Sequence, residues 1–267
     1  AYDSTRKRDV VIKCQKINSA RGLQAHREYS FYKILESVWK DDTTSSYERG
    51  YQCIVQVFSQ FSIQSGLKHC IVMEMANEGS LLEFLQKTSG GVQDYETARS
   101  MFNDMAESVH FLHRCNIAHR DIKLDNFLVF QDLATRKLTV KVCDLGYATY
   151  FTKSSHDTES CGSLHYASPE ILFNNVYSPP KLDVWSLGVT LFALNYGVLP
   201  FMDRCSTMEN TQSYAQNVVA GRIIETRAPE DALELRTYLA LQDLISSMLC
   251  QVPESRFDMD QVLSHPW

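Results

Sequence analysis

Residues 183–194 read Asp-Val-Trp-Ser-Leu-Gly-Val-Thr-Leu-Phe-Ala-Leu, apolar on nearly every face of a helix. A helix with no polar face has to be buried on all sides. This one segment therefore predicts a lobe of other helices packed around it. The apolar run 184–194 is interrupted by Ser186 and Thr190 and is too short to span a bilayer. With 267 residues and 44% hydrophobic content, the chain can enclose such a helix and still build a second, smaller lobe.

The flanking patterns complete this layout. Val10-Val11-Ile12 is a β-branched run ending at Lys13 and predicts a strand. Leu23, Phe31, Ile34, Leu35 and Val38 recur at helical spacing and predict one amphipathic helix carrying Glu28, after which 41–50 reads as a polar loop. Strands are predicted at 53–58 and 69–75, joined by a turn near Ser65-Gly66. Tyr95, Ala98, Phe102, Met105, Val109 and Leu112 mark a long helix, 127–130 and 138–142 a hairpin, and 235–263 a helix-rich end. The fold class is α+β and bilobal, with a small β-rich lobe over 1–75 and a large, mainly helical lobe over 76–267.

Charge and cysteine usage narrow the partners. The balance of 26 Lys and Arg against 32 Asp and Glu gives a net charge of −6, which disfavours nucleic acid or an acidic membrane as partner. Proteins and small ligands are expected instead. The eight cysteines are scattered without a C-x-x-C pair, so reduced thiols and an intracellular setting, cytoplasmic or nuclear, are expected. Residues 1–13 are polar and charged, unlike a signal peptide.

The chemistry concentrates at 119–126, His-Arg-Asp-Ile-Lys-Leu-Asp-Asn. Asp121 can accept a proton from a hydroxyl, Lys123 can neutralise charge on a migrating phosphate, and Asn126 can hold a magnesium ion. Alone, His119-Arg120-Asp121 reads equally well as a structural ion pair. Downstream, however, come Asp144-Leu145-Gly146, then Cys161-Gly162-Ser163-Leu164-His165-Tyr166-Ala167-Ser168-Pro169-Glu170, then Asp183-Val184-Trp185-Ser186-Leu187-Gly188. In this order the chain resembles the eukaryotic protein kinase family over essentially its whole length.

That resemblance implies ATP and Mg²⁺ as cofactors and protein hydroxyls as acceptors. It assigns Asp121 and Lys123 to catalysis, Lys13 to the grip on the α- and β-phosphates, Glu28 to its helix partner, and Asn126 and Asp144 to the metal. It places the backbone of Glu74 and Ala76 at the adenine edge, with Met73 guarding the pocket behind. Leu145 stands in place of the Phe of the family's Asp-Phe-Gly motif. Cys143 is open to two readings, a thiol facing the nucleotide or an inert buried one.

Lys123, two residues after Asp121, and Ser163, at a position that bonds the catalytic Asp and Lys, imply a serine/threonine enzyme. Segments 162–172, 182–201 and 256–267 look most like the calcium/calmodulin-dependent and AMP-activated group. Asp183 and Arg120 are implied as structural supports, and Arg256 as the buried partner of Glu170. Asp125 could favour a basic substrate residue, but Ser80 stands where many base-directed members have Glu. Glu159 occupies the place of the activating phosphothreonine and is expected to pair with Arg120, while Thr158 and Ser160 stay open as alternative switches.

The family's glycine-rich loop should precede Lys13, and the residues before it leave no room. The chain is therefore expected to be N-terminally incomplete and, without a lid over the phosphates, a weak catalyst. A scaffold that uses the fold without catalysis and a small-molecule kinase of related fold are the competing readings.

Overall fold

The computed structural model describes residues 1–16, 20–43, 45, 47–63, 67–88, 91–92, 94–152, 154–159, 161–173, 175–201 and 211–267, with the backbone alone at 20–25 and 211–213. A short strand β1 (Tyr2–Asp3) turns into β2 (Arg8–Lys16), followed by helix α1 (Ala20–Asp41) and the short α2 (Glu48–Gln52). Strands β3 (Val57–Ile63) and β4 (Lys68–Glu74) complete an antiparallel sheet of order β1-β2-β4-β3, against which α1 packs. Lys13 lies opposite Ile71, and Cys14 opposite Cys70.

Three expectations change in this small lobe. The strand of Lys13 continues to Lys16, because pairing with β4 persists through Gln15 opposite His69 and Lys16 opposite Lys68. Residues 53–55 are not part of β3: they are buried against the large lobe, where Ile54 bridges Val142 and the Val55 N–H donates to the Val142 carbonyl. Within the predicted loop 41–50, α2 begins at Glu48 and seats Gly50 directly on Phe111. A Cβ there would lie 2.5 Å from that of Phe111, so only glycine allows this close approach. The turn predicted near Ser65-Gly66 lies outside the described residues.

The reduced-thiol expectation fails for one pair. Cys14 and Cys70 form a disulfide across β2 and β4, since strand register sets two residues 56 apart in sequence directly opposite each other, with Cα atoms 4.1 Å apart. Scattered spacing in the sequence carries no sign of that pairing. Cys53, Cys115, Cys143, Cys161 and Cys250 are free.

The large lobe runs α3 (Leu81–Lys87), α4 (Tyr95–Arg114), β5 (Ile117–Ala118), β6 (Phe127–Gln131), β7 (Leu138–Val142), β8 (Thr149–Tyr150), α5 (Pro169–Leu172), α6 (Pro179–Tyr196), α7 (Thr211–Val219), α8 (Ala232–Met248) and α9 (Met259–Ser264). β6 and β7 form the predicted hairpin, and β5 pairs with β8. Pro179 and Pro180 open α6, and Gly197 closes it at φ +69°.

Every residue from 182 to 194 is buried. Trp185 lies nearly parallel to Phe201, with ring centroids 5.5 Å apart. Burying side chains of this size stabilises by roughly 1.5–3 kcal/mol each. The hydroxyls on this helix are satisfied, Ser186 Oγ by the Tyr166 carbonyl at 2.9 Å and Thr190 Oγ1 by that of Ser186 at 2.8 Å. No helix among the described residues is long and apolar enough to cross a membrane.

Candidate active site

The loop 119–126 leaves β5 and enters β6 with its backbone pinned by α6. Asp183 has no exposed surface, and its carboxylate accepts from the His119 N–H at 2.8 Å and the Arg120 N–H at 2.7 Å. His113 Nε2 lies 2.9 Å from the same carboxylate. His119 Nδ1 accepts from the Asp121 N–H at 3.2 Å, so its Nε2 carries the proton and donates to the Cys143 carbonyl at 2.9 Å. The imidazole thereby ties the loop to the chain just before Asp144.

On this support four side chains close into one network. Asp121 Oδ1 accepts from Ser163 Oγ at 2.9 Å, and its Oδ2 accepts from Asn126 Nδ2 at 3.0 Å. Lys123 Nζ lies 3.0 Å from Asp121 Oδ2 and donates to Ser163 Oγ at 2.9 Å. Asn126 Nδ2 also donates to the Asp121 carbonyl at 2.8 Å, so its amide orientation is fixed from two sides. Asp125, next to it, is exposed.

A second network spans the two lobes. Lys13 Nζ donates to both carboxylate oxygens of Glu28, at 3.0 and 2.9 Å, and to Asp144 Oδ1 at 2.7 Å. Burial opposes the Lys13 charge, but Glu28 and Asp144 outweigh it and raise its pKa. For Asp144, burial is likewise outweighed by Lys13, and the carboxyl stays below its ordinary range. Glu28 is fully enclosed, and burial pushes it up to about 7 against the pull of Lys13. Asp144 adopts a left-handed backbone, its Oδ1 accepts from the Gly146 N–H at 3.2 Å, and its own N–H donates to the Tyr32 hydroxyl at 3.0 Å.

Arg120 also gathers Asp157 and Glu159, which precede Ser163 of the first network in the chain. This buried guanidinium meets Asp157 Oδ2 at 2.5 Å and Glu159 Oε2 at 3.0 Å, while its Nε donates to the Tyr147 carbonyl at 2.8 Å. Tyr177 adds a hydroxyl that donates to the Glu159 carbonyl at 2.9 Å. Gly162, at φ +86°, passes so close that a Cβ would stand 2.6 Å from the Arg120 carbonyl oxygen.

This geometry coincides with a family match: the model of the protein kinase domain fits residues 8–267. The chain belongs to the protein kinase domain family. Among similar proteins are the probable serine/threonine-protein kinase MARK-A of Dictyostelium discoideum, 32% identical over 74% of this chain and 17% of the relative. The SNF-related serine/threonine-protein kinase of Rattus norvegicus is 29% identical over 80% of this chain and 26% of its own length. The carbon catabolite-derepressing protein kinase of Secale cereale is 32% identical over 74% and 35%. This kinase domain thus spans well under half of each of these three relatives.

The remaining residues singled out from the sequence of this kinase domain lie around the two networks. Glu170, at the start of α5, takes a buried bidentate pair from Arg256, at 2.9 and 3.0 Å, and the guanidinium also lies over the Trp185 ring. Glu74 spends its side chain on Lys141 Nζ, at 2.8 Å, and on the Gln56 N–H, at 2.7 Å. Ala76 follows β4, and neither its N–H nor its C=O is bonded among the described residues. Met73 is buried with Val55 and Ile71, and Cys143 packs against them. Burial pushes the Cys143 thiol up to about 12, which favours the protonated, less nucleophilic form. Ser80 is committed to capping α3, its Oγ accepting from the Glu83 N–H.

Three participants went unread in the sequence. Tyr32 lies one helical turn beyond Glu28, a spacing that could have flagged it as facing the same site. Asp157 stands two residues before Glu159, as a second acid in the same segment. His113 offered no signal beyond its place near the end of α4.

Proposed function

We propose that this kinase domain transfers the γ-phosphoryl group of ATP to serine or threonine hydroxyls of proteins. The observation that carries the reading is the closed network of Asp121, Lys123, Ser163 and Asn126 beside the Lys13–Glu28–Asp144 bridge. Asp121, held by three donors on its carboxylate oxygens, retains lone pairs to orient an acceptor hydroxyl and take its proton. Lys123 stands next to that hydroxyl's path and meets charge on the transferred group. Lys13, fixed from two sides, is placed to grip the α- and β-phosphates.

The metal-ligand reading fits the donors present. With Asn126 Nδ2 engaged, its Oδ1 has no partner among the described residues, nor has Asp144 Oδ2. Two hard oxygen donors and, among the described residues, no cluster of three His, Cys, Asp or Glu suit Mg²⁺, which takes its other ligands from phosphates and water. When bound there, Mg²⁺ would neutralise charge on the phosphate oxygens.

The regulatory reading follows from Arg120. Two carboxylates already occupy it, so Asp157 and Glu159 are held without a phosphate, and Thr158, exposed, contributes its N–H to Asp157 at 2.7 Å, while Ser160 lies outside the described residues. Phosphorylation at 158 or 160 is then not required for basal turnover.

The test is a Mg·ATP assay with a generic protein substrate and phosphoamino-acid analysis. Asp121→Asn should lower kcat by about 10²–10⁴-fold while ATP affinity stays near that of the parent. Normal turnover in that variant would sink the assignment of the base. For regulation, the double variant Asp157→Asn, Glu159→Gln should lose most basal activity and Thr158→Ala almost none, and the reverse pattern overturns the carboxylate reading.

A further inference from the structure

The disulfide between Cys14 and Cys70 sits one residue from Lys13. From Val11 to Lys16, the strand carrying that lysine pairs with β4 alone among the described residues, since β1 reaches only Arg8 and Asp9. The β2–β4 ladder is therefore the strand pairing that carries Lys13, while α1 packs against the same strands and supplies Glu28. The disulfide is the single covalent tie across the ladder, and it closes a loop spanning 56 residues that includes all of α1.

The two sulfurs differ in access. Cys14 is exposed, whereas Cys70 has no accessible surface. Exchange with a solution thiol or disulfide must then begin at Cys14.

We propose that Cys14 and Cys70 form a thiol–disulfide switch that clips the Lys13 strand to β4, the bridged form holding Lys13 on Glu28 and the reduced form releasing it. The consequence for ATP rests on the nucleotide-binding reading of Lys13 given above; the clip itself does not. The oxidant is a low-molecular-weight disulfide of the glutathione type. The Cys14 thiolate attacks one of its sulfurs, forming a mixed disulfide and expelling one thiolate. The Cys70 thiolate then attacks the Cys14 sulfur, expelling the second. The two protons shed by the cysteines pass to the two departing thiolates, and two electrons pass with them. A dithiol reverses both steps.

The experiment compares the full chain in oxidised glutathione and in dithiothreitol. Peptide mapping without reduction should show the Cys14–Cys70 link in the first and two alkylated thiols in the second. Reduction should speed amide exchange at Val11, Ile12, Lys13 and Gln15 and weaken binding of a fluorescent ATP analogue by about three- to tenfold. Cys14→Ser should resemble the reduced form in both buffers. Cys70→Ser should capture one glutathione on Cys14, while Cys14→Ser should capture none on Cys70.

Equal exchange at these amides in the two states, with the link verified in one, overturns the proposal. So does an oxidised protein in which both thiols still alkylate. If neither form binds ATP but the exchange difference persists, the clip stands and the nucleotide reading of Lys13 falls.

Discussion

Glu28 joins a buried carboxylate to a cation that has two claimants. Burial lifts it to about 7 against the pull of Lys13, so its hold on that cation weakens as pH falls toward this value. ATP affinity should fall as pH drops through about 7, and Glu28→Gln should bind weakly with little change between about pH 6 and 8, as read by nucleotide titration. Stability moves the other way. The folded value lies above the ordinary 4.5, so this group's contribution is complete below about 4.5 and is lost as pH rises to about 7. A denaturant series across that window should show Glu28→Gln losing the slope. The sequence disclosed Lys13, Glu28, Asp121, Asn126 and Asp144 because motif order picks them out. It did not disclose Tyr32 or Asp157, whose contacts reach 112 residues to Asp144 and 37 to Arg120 and depend on how the elements close.

At the scale of elements, α6 was legible because an all-apolar helix admits one placement, and its buried carboxylate then fixes the loop 119–126. α2 was not legible, since five residues with a polar composition are retained by a glycine contact rather than by periodicity. The start of β3 was misplaced for a related reason: 53–55 are apolar like a strand but bury against β7. The segment after Glu159 depends on Gly162 in the same way α2 depends on Gly50. Gly162→Ala adds both a strained backbone and a collision with the Arg120 carbonyl, so the segment must lift. Turnover should drop roughly tenfold or more with the thermal midpoint little changed, since the fault is in positioning rather than in the core. A variant with parental kcat would show that the segment adapts without cost.

Across the whole molecule, Arg256 and Glu170 join the connection before α9 to the start of α5. Both are buried, and Arg256 also bonds the carbonyls of Cys250 and Lys181. Arg256→Ala strands the Glu170 charge and should cost about 3–5 kcal/mol in urea unfolding, while the joint change Arg256→Met, Glu170→Leu should cost far less. Equal losses in the two would mean that packing over Trp185, not charge, is what the pair supplies.

Helix α1 holds one further consequence. It carries Glu28, which engages Lys13, and one turn later Tyr32, whose hydroxyl receives the Asp144 N–H. Any rotation of α1 away from the sheet withdraws both at once. The hold on Lys13 and the hold on the Asp144 backbone are thus not two settings but one. The seating of α1 on the sheet is one mechanical coordinate that carries both contacts together.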